Sequence, residues 1–98
     1  MNKETVLKEI WDTIEDRLAH PSDSSYTCRI INHQKGVDKP LEKVGEEVTE
    51  FIIAAKNNIP KDIIFEAADV QFHLMLALKA VGVSFDDVLD ELASRRNK

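Results

Sequence analysis

The chain has 98 residues, 43% of them hydrophobic and 32% charged, with a net charge of −5. That length suits one domain, residues 1–98, whose monomer buries only about 60–65% of its unfolded surface, and three Gly with three Pro leave little material for a turn-rich β-fold. The acidic balance excludes nonspecific binding to nucleic acid or to an anionic membrane surface, which needs a positive field, so any phosphate chemistry must recruit divalent cations or local basic groups.

Asn2 is placed to cap a first helix, in which Leu7, Ile10, Ile14 and Leu18 recur at spacings of three and four. The start of the chain carries Lys3, Glu4, Lys8 and Glu9 and has no apolar core of a signal peptide. Pro21 and the polar stretch Ser22–Ser25 end the helix. From Tyr26 to Gln34 a short helix or irregular segment follows, closed by Gly36. It contains Cys28, the single cysteine, which rules out an intramolecular disulfide and fits a reducing compartment. Trp11 and Cys28 are read as packing residues.

Asp38 is the expected N-cap of the next helix, with Pro40 tolerated in its first turn. Leu41, Val44, Val48, Phe51 and Ala55 then line one side as far as about Asn57. Asn57-Asn58-Ile59-Pro60 is a turn. From Lys61 to Val81 runs the most apolar helix, with Ile63, Ile64, Val70, Leu74, Ala77 and Leu78, and Gly82 stops it. Ser84 with Asp87 resembles a capping box, and it opens a last helix through Val88, Leu89 and Leu92 to Arg95. The expected fold is all-α, a bundle of four main helices plus a short one. No apolar run reaches the ~20 residues that span a bilayer, so a cytoplasmic protein is expected. Ile53 lies nearly opposite Val44 on its wheel, and Phe72 falls well away from Leu74. Such excess apolar surface predicts a homodimer that completes the bundle.

Two acid pairs stand out. Glu47 and Glu50 are three residues apart on one helix, and Glu66 and Asp69 are three apart on the next, so each pair shares a face. A tight turn joins the helices and makes them antiparallel neighbours. At about 100° per residue, Glu47 and Glu50 fall on the margin of the apolar stripe, while Glu46 points further outward. Glu66 and Asp69 border a stripe continued by His73 and Leu76. Carboxylates crowded at a core margin repel one another unless something positive stands between them. Mg²⁺, hard and satisfied by carboxylate oxygens, waters and phosphates, answers that need. Gly45 sits mid-helix at a cost of ~1 kcal/mol relative to Ala, which the close approach of a backbone or ligand would explain. The alternative is that these acids merely form solvated helix faces on a non-catalytic dimerisation module.

The run Lys43-Val44-Gly45-Glu46-Glu47-Val48-Thr49-Glu50, then fifteen residues, then Glu66-Ala67-Ala68-Asp69, resembles the signature of the MazG-like all-α nucleotide pyrophosphohydrolases. With Ser25-Tyr26-Thr27, Gly36, Ala54-Ala55-Lys56, His73-Leu74, Asp87-Val88-Leu89 and Glu91-Leu92, the chain is most similar to the phosphoribosyl-ATP pyrophosphatase family, from Leu7 to Arg95. Pro40 and Glu42 stand where basic or aliphatic residues are expected, and Gln71-Phe72 replaces Leu-Tyr.

The resemblance implies hydrolysis of phosphoribosyl-ATP to phosphoribosyl-AMP and pyrophosphate, the second step of histidine biosynthesis. It implies Mg²⁺ held by Glu47, Glu50, Glu66 and Asp69. Glu47 or Glu50 is the expected proton acceptor for the attacking water, with Glu46 a further candidate. For the substrate, Lys39, Lys43, Arg17 and Arg95 are candidate phosphate partners. Tyr26 is a candidate for stacking on the base, and His73 for direct contact. A related enzyme acting on dCTP or on damaged nucleotides is the nearest rival.

Overall fold

A computed structural model describes residues 2–97, and every regular element among them is helical. The helices are α1 (Val6–Ala19), α2 (Tyr26–Ile31), α3 (Asp38–Asn57), α4 (Pro60–Val81) and α5 (Phe85–Ser94). This matches the expected four main helices and one short one.

Caps account for most of the small boundary differences. Asn2 does not cap α1. Its side-chain oxygen accepts from the Glu4 N–H at 2.8 Å and so builds a turn ahead of the helix, whose N-cap is Thr5. Such a side-chain bond to a nearby N–H competes with helix entry. Asp38 is already inside α3, one residue past the N-cap Val37, where its charge still meets the positive helix end. Helix α4 begins at Pro60 and not at Lys61, because proline suits the first helical position. Ser84 caps α5 by accepting from the Asp86 N–H at 3.2 Å. Asp87 returns no side-chain bond to Ser84, so only half of the expected box forms. Helix α5 stops at Ser94, with Arg95 as its C-cap.

The apolar core comprises Ile14 of α1, Ile30 of α2, Met75 and Leu76 of α4, and Phe85 of α5. Leu7, Ile10, Trp11, Phe72 and Leu89 pack around it, and Trp11 stacks on Phe85 with centroids 5.8 Å apart. Cys28 is buried, and its thiol donates to the Arg17 carbonyl at 3.1 Å. No residue of α3 belongs to this cluster.

Helix α3 lies instead against α4 as an antiparallel hairpin joined by Asn58 and Ile59. Asn58 adopts the left-handed conformation (φ 56°, ψ 40°), and its N–H donates to the carbonyls of Ala54 and Ala55 at 3.1 Å each. At the far end of α4, Gly82 takes φ 81°, and the Val83 N–H bonds back to Leu78 at 3.0 Å. This is a Schellman stop that turns the chain sharply into α5.

The inward face of α3 differs from the one the hydrophobic pattern predicts. Its buried residues are Pro40, Glu47 and Ala54, spaced by seven. Leu41, Val48 and Ala55, expected inside, are exposed. On α4, Ile64 (71% exposed) and Leu74 also face outward, while His73, Met75, Leu76 and Ala77 are buried. Val44 and Phe51 of the expected stripe are half-buried, so the inward face is the margin of that stripe, where a carboxylate and not an aliphatic residue holds the central position.

Candidate metal-binding active site

Glu47 is 6% exposed, an unusual position for a carboxylate. The α3–α4 hairpin surrounds it with further acids. Ligand atoms of Glu47, Glu50 and Glu66 lie within 4.8 Å of one another, and so do those of Glu47, Asp69 and His73. The four predicted acids therefore do not form one uniform ring. They form two triads that share Glu47, one toward each side of it along α4.

The i,i+3 spacing produces this arrangement directly. Glu47 and Glu50 stand one turn apart on α3, and Glu66 and Asp69 one turn apart on the facing stretch of α4. Glu50 is exposed, whereas Glu66 and Asp69 are half-buried.

Partners on the protein satisfy only part of this cluster. Lys43, one turn before Glu47, places Nζ 3.0 Å from Glu46 Oε2 and 3.4 Å from Glu47 Oε1. The hydrogen bond to Glu46 raises the Lys43 pKa above its ordinary value against the opposing effect of burial, and Glu47 adds to the rise. Lys43 is thus a fixed cation already engaged with two carboxylates. The remaining oxygens, Glu47 Oε2 and Glu66 Oε2, are buried without any hydrogen-bond partner. Buried carboxylate oxygens without a partner, on residues whose ligand atoms come within 4.8 Å of one another, are costly unless a cation lies among them. The four carboxylates offer hard oxygens, the chemistry that selects Mg²⁺ over soft metals, while both nitrogens of His73, the one other member of the triads, are already bonded to Tyr26 and to the Asp69 carbonyl. The residues fit such an ion.

The other flank of Glu47 is held by a hydrogen-bonded chain. The Tyr26 hydroxyl lies 2.7 Å from His73 Nε2, and His73 Nδ1 lies 2.8 Å from the Asp69 carbonyl. A carbonyl only accepts, so Nδ1 carries the proton; in neutral His73, Nε2 then accepts from the Tyr26 hydroxyl. Burial raises the Tyr26 pKa above 10.0; Lys43 opposes this, and the negative charges of Glu47, Asp69 and Glu46 add to it. Tyr26 therefore feels the acid cluster directly. It also touches Phe72 at 6.3 Å and carries the Arg29 guanidinium 5.7 Å from its ring centre.

The remaining predicted residues are distributed as follows. Arg17 lines a cleft together with Tyr26 and Phe72. Lys39 is half-buried near the start of α3. Arg95, the C-cap of α5, binds Glu91 of that helix at 2.7 Å and forms no ion pair with the acid cluster among the described residues. Arg29 escaped the sequence reading. The signal was present, since it follows Tyr26 by three residues on α2 and so shares its face. Gly45 has open space where a Cβ would stand, so no part of this chain approaches it closely. The close approach expected there is absent within the chain.

Residues 7–96 match the protein family described as phosphoribosyl-ATP pyrophosphohydrolase. The chain is 55% identical to the phosphoribosyl-ATP pyrophosphatase of Methanoculleus marisnigri, over 93% of this chain and 94% of that protein. It is 53% identical to the enzyme of the same name from Methanosphaerula palustris, over 98% and 97%. Against that of Methanococcoides burtonii the identity is 44%, over 95% and 94%.

Proposed function

The chain belongs to the phosphoribosyl-ATP pyrophosphohydrolase family and is a hydrolase, and we propose that it cleaves phosphoribosyl-ATP to phosphoribosyl-AMP and pyrophosphate at the carboxylate cluster centred on Glu47. The observation that carries this is the pair of buried oxygens without partners, Glu47 Oε2 and Glu66 Oε2, between two antiparallel helices.

Glu47, Glu50, Glu66 and Asp69 are the residues that would hold Mg²⁺. When bound, such an ion neutralises phosphate charge and orients phosphate and water for in-line displacement. The protein's own groups prepare the site for it. Lys43 fixes one oxygen of Glu47 and leaves the other free, which sets the direction in which that carboxylate can ligate. The chain from Tyr26 through His73 to the Asp69 carbonyl pins the facing turn of α4. Glu50 is the exposed member of the cluster, and we assign it the proton of the attacking water. As the water oxygen bonds to the α-phosphorus, the α–β anhydride bond breaks and pyrophosphate departs. Glu46, tied to Lys43 at 3.0 Å, holds that lysine in place.

No helix among the described residues is long and apolar enough to cross a membrane. With a single free thiol, this supports a cytoplasmic location. We also assign a second copy of the chain to the outer side of α3. Leu41, Gly45, Val48 and Ile52 follow one another at helical spacing there, all exposed, and Ile64 and Phe65 of α4 are 71% and 64% exposed. Apolar surface left open on so small a chain is the kind that symmetric pairing covers.

The test is pyrophosphate release from phosphoribosyl-ATP, ATP, dCTP and dUTP, with Mg²⁺ and with a chelator. Phosphoribosyl-ATP should be turned over fastest and only with the metal. Preference for a deoxynucleotide would overturn the substrate assignment.

A further inference from the structure

A cleft of about 480 Å³ opens between α1, α2 and the middle of α4, walled by Ile10, Ile14, Tyr26 and Phe72 and carrying Thr13 and Arg17 toward α1. That volume falls within the range of small-molecule sites, roughly 300–1,000 Å³. Its position matters more than its size. Tyr26 is shared: its ring lines the cleft, and its hydroxyl reaches His73 on the side of the acid cluster. Phe72 is likewise adjacent in sequence to His73, and its ring meets the imidazole edge-on at 5.4 Å. The cleft and the carboxylates are thus two sides of one aromatic partition.

The two spaces bordering the cluster differ in character. On the other side, a smaller hollow of about 250 Å³ is lined by Glu50, Glu66, Asp62 and Asn57, three acids and no cation. The cleft beyond Tyr26 has apolar walls and a guanidinium. The side chain of Arg17 is 54% exposed, and its ion-pair partner is the adjacent Asp16 at 3.4 Å, an exposed pair of little strength. It is free to turn to an anion.

Phosphoribosyl-ATP differs from ATP by one more ribose bearing one more phosphate. We propose that this cleft is the subsite for the base and the extra phosphoribose, with the base against the wall of Tyr26 and Phe72 and the extra phosphate on Arg17. Arg17 is then the residue that separates phosphoribosyl-ATP from ATP. The base lies along the wall and not between the two rings, whose centroids are already 6.3 Å apart. This assignment rests on the proposed reaction, because the phosphates must lie on the carboxylate side of Tyr26 for the base to enter here.

The experiment compares phosphoribosyl-AMP with AMP as product inhibitors of phosphoribosyl-ATP hydrolysis, in Mg²⁺, for the wild type, Arg17→Met, Arg17→Lys and Thr13→Trp. The wild type should bind phosphoribosyl-AMP at least ~10-fold more tightly than AMP, the loss expected when a charge-assisted phosphate bond is missing. Arg17→Met should bring the two within about threefold, with the substrate effect falling on KM more than on kcat, and Arg17→Lys should restore part of the difference. Thr13→Trp, which fills the cleft from α1, should weaken both nucleotides. An unchanged ratio in a folded Arg17→Met protein overturns the proposal. So does a Thr13→Trp protein that binds both normally, or one that loses only its self-association, since the cleft would then belong to a second copy. Wild-type hydrolysis of phosphoribosyl-ATP is measured first: if it is absent the underlying reaction fails, and if it is present while the ratio does not move only the cleft assignment fails.

Discussion

Helices α3 and α4 are of similar length and lie side by side, yet they are held by different means. The second half of α4 is anchored in the apolar core by Met75 and Leu76, both 0% exposed. The inward face of α3 offers Pro40, Glu47 and Ala54, and no member of that core. One helix is fixed by apolar burial, which needs no metal and no particular charge state. The other meets α4 around a buried carboxylate, in a cluster two of whose buried oxygens have no partner. The lesson is that half of the acid cluster, Glu47 and Glu50, stands on a helix that contributes nothing to the apolar core, so the pairing of α3 with α4 at that point should respond to what binds there.

The largest expected effect tests that contrast at Glu47. Glu47→Gln should lower pyrophosphate release by at least ~10²-fold, since even residues that merely support metal ligands cost 10–100-fold. Mg²⁺ should raise the melting temperature of the wild type, by an amount equivalent to about 2.7 kcal/mol at a hundredfold excess over Kd, and should leave Glu47→Gln nearly unmoved. Equal metal-induced shifts in both proteins would place the ion elsewhere.

The converse substitution is Leu76→Ala in the core. It should cost about 2–5 kcal/mol of stability by leaving a cavity, measured by denaturant unfolding, while the folded fraction keeps its rate per molecule. A fall in kcat larger than the loss of folded protein would show that the two regions are not separable.

A smaller effect lies between them, at the partition. Tyr26→Phe removes the hydroxyl from His73 Nε2 and should cost about 1 kcal/mol. The sign of its pH dependence follows from the raised pKa. Folded Tyr26 holds its proton more tightly than the unfolded chain does, so its contribution is complete below pH 10 and is lost only as pH rises through the higher folded value. Tyr26 is the single tyrosine, so tyrosinate absorbance in metal-free buffer reports this directly, and a midpoint below 10 would contradict it. Lys43 shifts in the same direction, so neither group should produce a limb in the pH–rate profile between about pH 6 and 9.

The smallest effect concerns the outer face of α3. Gly45→Ala should weaken self-association in sedimentation, because a Cβ would intrude where a second helix crosses. If pairing is unaffected and stability instead rises by the ~1 kcal/mol of helix propensity, that face is open.

The order and extent of the helices were legible because Pro21, Pro60, Gly82 and the Ser84 cap punctuate strong periodicities, although Asn2 and Asp38 do not cap. The spacing of Glu47, Glu50, Glu66 and Asp69 was legible for the same reason, since one turn of helix is a fixed geometry. The facing of α3 was not. A wheel assigns the inside to the centre of the apolar stripe, and on this helix the inward face is the margin of that stripe, where Glu47 is buried beside the half-buried Val44 and Phe51. The Tyr26–His73 bond spans 47 positions of sequence, beyond the reach of any local pattern. Arg29 was within reach but lay in a stretch that reads as either a short helix or an irregular segment, and only the helix puts it on a face with Tyr26.

The hairpin between α3 and α4 has a further consequence for how this chain can vary. Asn58 and Ile59 are all that separates the two helices, so the connector carries no slack. One added residue must bulge outward or turn α4 by about 100° and slide it by about 1.5 Å, carrying Glu66 and Asp69 away from Glu47. The connector holds none of the four acids, yet its length decides whether they meet. Changes of length are therefore better tolerated in the connection between α2 and α3, since the one between α1 and α2 carries Ser24 and Ser25 of the cleft and the cap ahead of Tyr26.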